Sequence, residues 1–284
     1  MLRFSKPEDI DNIISVWNES FGDSEKDIKL FLDAHFIPEN TLVYECDGIA
    51  VSVLFLIDGE MHINGVDYSS YYLYAACTLK KYRGRGLMQE LLDFAQKISL
   101  ERRKFFIALK PGEDSLYDYY SKFGYKPLFT KKITIITFEK KSDTFSSYDK
   151  NIDLNLSDIR NSAFDNINYF KWNKKSIEFA SEHHKYYGGK VFCSHKGYSL
   201  YIFDDSSIHI KESTFISFSD LIDSLNHICN NRSEQKIIIE SPCDFNYGSL
   251  NSEIINSGML LPVCEEAEKI ITTLNNAYLA LTLD

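Results

Sequence analysis

Residues Tyr82 to Met88 read YRGRGLM: two glycines and two arginines, in a chain of 284 residues that holds only 13 glycines and carries a formal net charge of −10. Lys80 and Lys81 precede them, so Lys80 to Arg85 is a basic island in an acidic protein. A glycine has no Cβ, so the backbone at Gly84 and Gly86 can approach a ligand closely, and the first N–H groups of a following helix have no partner inside that helix. A helix N-terminus of this kind attracts anions, and Arg83 and Arg85 add charge of the same sign. The chemistry implied is the holding of a phosphate or pyrophosphate. A Walker loop needs GxxxxGK[ST], which is absent, and a dinucleotide fingerprint needs GxGxxG, where Gln89 occupies the place of the third glycine. A solvated basic turn ahead of an ordinary helix stays open as an alternative. A nucleic-acid patch is disfavoured by the net charge.

Two other stretches offer chemistry. The run Asp118 to Pro127, DYYSKFGYKP, concentrates tyrosines ahead of Gly124. Cys77 lies at the end of a strand, but a covalent acyl-cysteine route needs an activating histidine and none stands in the strand or its flanks. The six cysteines are scattered, with no CxxC and no Cys/His cluster at ligand spacing, so neither a disulfide nor a metal site is expected.

The elements that must position these residues alternate between helix and strand. LRF precedes a helix opened by a capping box at Ser5 and Glu8, with Ile10, Ile13, Ile14, Trp17 and Phe21 on one face. A second helix spans Ser24 to His35; TLVYEC and AVSVLFLI form a hairpin about Asp47-Gly48, and EMHI turns at Asn64-Gly65 into VDYSSYYLYAACTL. Leu87 to Arg102 is an amphipathic helix, KFFIAL a buried strand, Glu113 to Phe123 a helix and ITIITF a strand. The polar stretch 141–153 reads as a linker. Beyond it, a helical region from Ser157 to His184 precedes the strands KVFCS, GYSLYIF and SIHIKE, the helix FSDLIDSLNHIC, the strand KIIIES, a helix at Asn251 to Asn256 and the strand AYLALTL. The order repeats that of the first half, which suggests a degenerate duplication. DYYSKFGYKP and EIINSGMLLP are its local echo, with Ile254 opposite Tyr120.

CTLKKYRGRGLMQELLDFA, Cys77 to Ala95, resembles motif A of the GNAT superfamily of N-acetyltransferases, its pattern falling on Arg83, Gly86 and Met88. Met88 departs from the small residue usual at the last place. LKPGEDSLYDYYSKFGYKP, Leu109 to Pro127, resembles the strand and helix that follow in the same family. The resemblance covers roughly residues 1 to 138. The two-part layout, the wording RGRGLM and the ending AYLALTLD are similar to the enhanced-intracellular-survival acetyltransferases, without their sterol-carrier-like third domain.

The resemblance implies an α/β (α+β) chain: a GNAT catalytic domain over residues 1–140 with a mixed central sheet flanked by helices, the linker, and a degenerate second GNAT-like domain over 154–284. It implies acetyl-CoA as donor, with pyrophosphate on the backbone of Arg83, Gly84, Arg85, Gly86, Leu87 and Met88. Pantetheine would lie beside Ala76, Cys77 and Thr78, whose backbone groups would meet it and the thioester carbonyl. Ser115 would touch coenzyme A. Tyr120 would be the general acid that protonates the departing thiolate, a role suited to a phenol of ordinary pKa near 10. Tyr117, Tyr119 and Tyr125 read as packing. The second half has no glycine or arginine in STFIS, ahead of its corresponding helix, and is expected to bind no cofactor.

The acceptor would be a small-molecule or peptide primary amine, with Trp17, Phe21, Phe31 and Tyr71 to Tyr74 as its aromatic surround. The base that takes the amine proton is not legible; Glu45, Glu60 and Asp67 are the acidic residues near the first-half strands. No nucleic-acid or membrane partner is expected. The N-terminus lacks the layout of a signal peptide and no window reaches the roughly 18 apolar residues of a span, so a cytoplasmic location is expected. Two other functions stay open: a coenzyme A-binding regulatory protein without turnover, and a phosphate-binding module of different chemistry.

Overall fold

Asp47-Gly48 and Asn64-Gly65 each place two successive residues at positive φ, 53° and 81° in the first and 50° and 79° in the second. Such left-handed pairs close two-residue hairpins whose twist matches that of the strands. They connect β2 (Thr41–Cys46), β3 (Ile49–Ile63) and β4 (Val66–Thr78). Sequence reading expects two strands where β3 is one: Asp58-Gly59 does not turn, and the strand runs through it. The computed structural model describes residues 1–139, 155–204, 206–229, 235–248 and 250–281; the expected linker 141–153 lies outside the described residues.

The chain divides into two compact units. The first comprises Met1–Met61, Tyr68–Pro127 and Met259–Leu274. Its sheet begins with β1 (Leu2–Phe4), antiparallel to β2, and continues through β3 and β4 to β5 (Phe106–Leu109). β4 and β5 are parallel and are joined by the crossover helix α3 (Leu87–Glu101). Helices α1 (Ile10–Phe21) and α2 (Glu25–His35) bury Ile13, Val16, Trp17, Ile28 and Phe31. The box that opens α1 forms at Lys6 and Asp9 rather than at Ser5 and Glu8. Asp9 accepts the Lys6 N–H at 2.7 Å and is held by Arg3, while Ser5 donates to the Pro38 carbonyl. α4 (Ser115–Ser121) precedes β6 (Lys126–Phe138).

The strand that flanks β5 inside this unit comes from far along the chain. Residues Met259–Pro262, the end of β12 (Ser252–Pro262), pair antiparallel with Leu109–Phe106, and Met259, Leu261 and Val263 join the core of Leu91, Leu92, Ile107 and Tyr120. The short helix α8 (Glu265–Ile271), not expected from sequence, also belongs to the first unit.

The second unit comprises His62–Asp67, Leu128–Gly258 and Asn275–Asp284. The helical region expected from Ser157 to His184 is two helices, α5 (Leu156–Phe164) and α6 (Lys174–Tyr186), separated by the aromatic strand β7 (Tyr169–Trp172). Asn173 ends that strand and caps α6 by accepting the Ser176 N–H at 2.9 Å. Strands β8 (Lys190–Ser194), β9 (Gly197–Phe203) and β10 (Ser207–Ser213) run antiparallel in order. Helix α7 (Phe218–Ile228) then crosses to β11 (Gln235–Ser241), which is parallel to β10 and antiparallel to β6.

Each unit thus ends an antiparallel run with a parallel pair joined by one helix, the repeated order seen in sequence. The local echo does not hold. Asn251 to Asn256 is not a helix: Ser252 onward is strand, and Ile254, set opposite Tyr120, is 60% exposed on it. Pairing with neighbouring backbone overrides the helical look of that segment. AYLALTL does not form a strand in the described residues either; only Ala277 and Tyr278 make bridges, to Phe129 and Tyr169.

Candidate functional site

Parallel pairing between β4 and β5 covers Ser70–Phe106, Tyr71–Ile107 and Tyr72–Ala108 and then stops, although β4 continues to Thr78. At Ala75 the backbone takes φ 48°, left-handed at a non-glycine residue. Such conformations cost of order 1 kcal/mol and are kept where the surroundings fix them. β5 ends at Leu109, so the stretch of β4 from Leu73 to Thr78 runs beyond its parallel partner. Nothing in the residue type of Ala75 announces its left-handed backbone.

Ala76 is half-buried, and Cys77 is 5% exposed with its thiol pushed up to about 12 by burial, against smaller opposing effects of Ser20 and Arg83. Ser52, which sequence reasoning passed over, donates to the Cys77 carbonyl at 3.0 Å and lies 2.7 Å from the Thr78 hydroxyl. The end of β4 is thereby pinned to β3.

From Thr78 the chain passes through a 3₁₀ turn at Lys80–Tyr82 into the glycine loop. Arg83 folds back: its Nε donates to the Thr78 carbonyl at 2.9 Å and its Nη2 to Ser20 Oγ at 3.4 Å. Arg85 donates to the Lys81 carbonyl at 3.0 Å, and Lys81 and Arg85 each lie 5.0 Å from the centre of the Tyr82 ring. Gly84 and Gly86 have φ 73° and 81°, and no heavy atom lies within 4 Å of where a Cβ would stand on either.

Gly86 is the N-cap of α3 and offers no capping side chain. The first bond of the helix is Glu90 N–H to the Gly86 carbonyl at 3.1 Å. The amides of Leu87, Met88 and Gln89 therefore lie outside the helical ladder, at the positive end of a fifteen-residue helix. Leu87 is buried and Met88 packs against the first unit's core, so the larger side chain at the departing position is accommodated inward.

Tyr120 stands on α4, 8% exposed, with its ring edge-to-face against Tyr125 at 5.6 Å. Among the described residues its hydroxyl makes no hydrogen bond, and burial, reinforced by Tyr119 and Cys77, raises its pKa well above the ordinary phenol value. Ala76, near the end of β4, packs against the core cluster that holds Tyr120. The match to a thiol is therefore less close than an ordinary phenol would give; what burial secures is that the proton is present. Tyr117 and Tyr119 pack at the rim of the core and Tyr125 inside it. Ser115 is exposed at the start of α4 and donates to Glu113.

Trp17, Phe31, Phe55 and Tyr74 form a ring cluster, with Phe31–Tyr74 centres 4.7 Å apart and Trp17–Phe31 5.0 Å. Phe21 touches Trp17 at 6.2 Å from an exposed position, and Tyr71 is buried with its hydroxyl on Arg102. Of the acidic residues considered for the base, Glu45 pairs with Arg3 at 2.7 Å. Burial opposes ionisation of Asp67, but Lys171 and His62 outweigh it and hold its carboxyl below the usual range. Glu60 is half-buried on β3.

The second unit lacks an open helix end at the matching place. Ser217 is the N-cap of α7; its Oγ accepts the Asp220 N–H at 3.1 Å and donates to the Asp220 carboxylate at 2.7 Å. Beyond the last parallel pair, Ile210–Ile239, β10 carries Glu212. Glu212 is fully buried, 3.2 Å from Arg160 Nε and bonded by Tyr198. Among the described residues no group of three or more His, Cys, Asp or Glu is placed to hold a metal, and no helix is long and apolar enough to cross a membrane.

Residues 1–128 match the family model of the acetyltransferase (GNAT) domain. No curated protein matches the sequence. Among solved structures, Eis1 from Mycobacterium abscessus is 12% identical with a TM-score of 0.73, over 94% of this chain and 75% of its own. A GCN5-related N-acetyltransferase from Anabaena variabilis is 15% identical with a TM-score of 0.74, over 93% and 73%. One from Kribbella flavida is 14% identical with a TM-score of 0.69, over 94% and 73%. At such identities the likeness is one of fold.

Proposed function

We propose that this chain, whose residues 1–128 match the family model of the acetyltransferase (GNAT) domain, moves an acetyl group from acetyl-CoA to a primary amine by direct attack. The observation that carries the reading is the head of α3, where Gly86 leaves the amides of Leu87 to Gln89 without helical partners, just after Lys80, Lys81, Arg83 and Arg85 in the chain. A pyrophosphate fits there: the donors are present, the charge is complementary, and the space beside both glycines is open.

In this reading the backbone of Arg83 to Met88 holds the diphosphate. The free edge of β4 at Ala76, Cys77 and Thr78 meets the pantetheine and polarises the thioester carbonyl, an effect worth a few kcal/mol where charge develops. Ser115 adds a hydroxyl to the donor. The neutral amine's nitrogen bonds to the carbonyl carbon, the carbon–sulfur bond breaks, and the Tyr120 hydroxyl gives its proton to the leaving thiolate, while the proton shed by the acetylated nitrogen passes to solvent, from which the phenolate regains its own. Cys77 takes no covalent part, since its buried thiol stays protonated at neutral pH. The second unit is a support without a donor site, a reading that the capped start of α7 favours.

Free thiol release from acetyl-CoA across a panel of small and peptidic amines tests the proposal. Amine-dependent release by the parent chain, lost in Tyr120→Phe, supports it. Coenzyme A binding with no release for any amine would leave a binding protein without turnover, and preference for ATP or NAD would remove the donor assignment.

A further inference from the structure

A carboxylate stands in a place where charge alone argues against it. Glu19, exposed on the last turn of α1, accepts the Lys80 main-chain N–H on Oε1 at 2.6 Å. The next residue, Ser20, accepts from Arg83 Nη2 at 3.4 Å, while Arg83 Nε reaches the Thr78 carbonyl. The segment from Lys80 to Arg83 is thus tied at both ends to the last turn of α1. A negative charge beside a cationic anion site weakens that site for a polyanion. What Glu19 supplies in return is the hydrogen bond that orients the turn feeding Gly84 and Gly86.

We propose that Glu19 is a positioning residue for the donor loop, setting the path of Lys80 to Arg83 so that the head of α3 presents its amides to the diphosphate. The inference rests on the function proposed above. It also makes α1 the shared wall of both substrates, because Trp17, two residues earlier, packs 5.6 Å from Tyr74, next to the strained Ala75. Donor-loop geometry and acceptor surround are then set by one helix.

The sign of the effect separates positioning from simple charge. Titration calorimetry with coenzyme A on the parent, Glu19→Ala and Glu19→Gln chains is the test. Glu19→Ala is expected to weaken binding about five- to tenfold, as loss of one hydrogen bond to a charged group should. Its thermal midpoint and its kcat at saturating donor should be unchanged. Glu19→Gln keeps the accepting oxygen and loses the charge, so it should bind at least as tightly as the parent. Were Glu19 only a surface charge, Glu19→Ala would tighten binding. Parent-like or tighter binding by Glu19→Ala, or failure of Glu19→Gln to restore it, overturns the proposal while leaving the enzyme reading intact. A parent chain that binds no coenzyme A removes both.

Discussion

Tyr72 and Ala108 are the last residues that β4 and β5 pair in parallel; past them β4 runs on to Thr78, with left-handed backbone at Ala75. The stretch of β4 beyond that pairing lies in the unit that holds the glycine loop, Cys77 and Tyr120. In the second unit the stretch beyond Ile210–Ile239 carries a buried Arg160–Glu212 pair instead.

Tyr120 should supply a proton rather than a charge. Burial holds its phenol above the ordinary value, so it stays protonated through neutral and mildly alkaline pH. Tyr120→Phe should lower kcat by roughly 10² to 10⁴ with little change in donor KM. The parent's pH–rate profile should climb as the amine deprotonates and show no falling limb through mildly alkaline pH. A fall setting in near neutral pH would contradict the assignment.

Cys77 should be dispensable for chemistry. With its thiol pushed up to about 12 by burial, the thiolate is scarce at pH 7 and alkylation of the folded protein there should be slow. Cys77→Ala should keep turnover within a few-fold and lose on the order of 1 kcal/mol of stability through lost packing. Abolished turnover in a folded variant, or an acetylated Cys77 trapped by mass spectrometry, would restore the covalent route.

Residues 1–140 alone should not fold stably. The first unit takes Met259–Leu274 from the far end of the chain, and with it the buried side chains of Met259, Leu260, Leu261, Val263 and Ile271. Burying each is worth about 1.5–3 kcal/mol, so together they rival the roughly 5–15 kcal/mol that keeps a domain folded. A cooperative melt and native-like circular dichroism in the truncated chain would show the segment to be unneeded.

The backbone of the candidate site was readable in part from residue types, because glycine carries local conformational meaning. Gly84 and Gly86 do adopt the backbone only glycine takes readily, and the Asp-Gly and Asn-Gly turns fall where expected. What stayed hidden depends on contacts between distant residues. Ala75 takes left-handed backbone without a glycine to mark it, and Glu19 and Ser20 reach the loop from a helix some sixty positions earlier. The segment around Ile254 was misread because its strand is decided by pairing, and Met259–Pro262 finds its partner in β5, a run no local pattern links to it.

The central claim is that the open head of α3 grips the donor and that the chain has one such place. Calorimetry with coenzyme A on the whole chain should give one site, lost in Gly86→Asp, which sets a carboxylate at the head of the helix where the diphosphate is to bind. Two sites per chain, or undiminished binding by a folded Gly86→Asp variant, would contradict it.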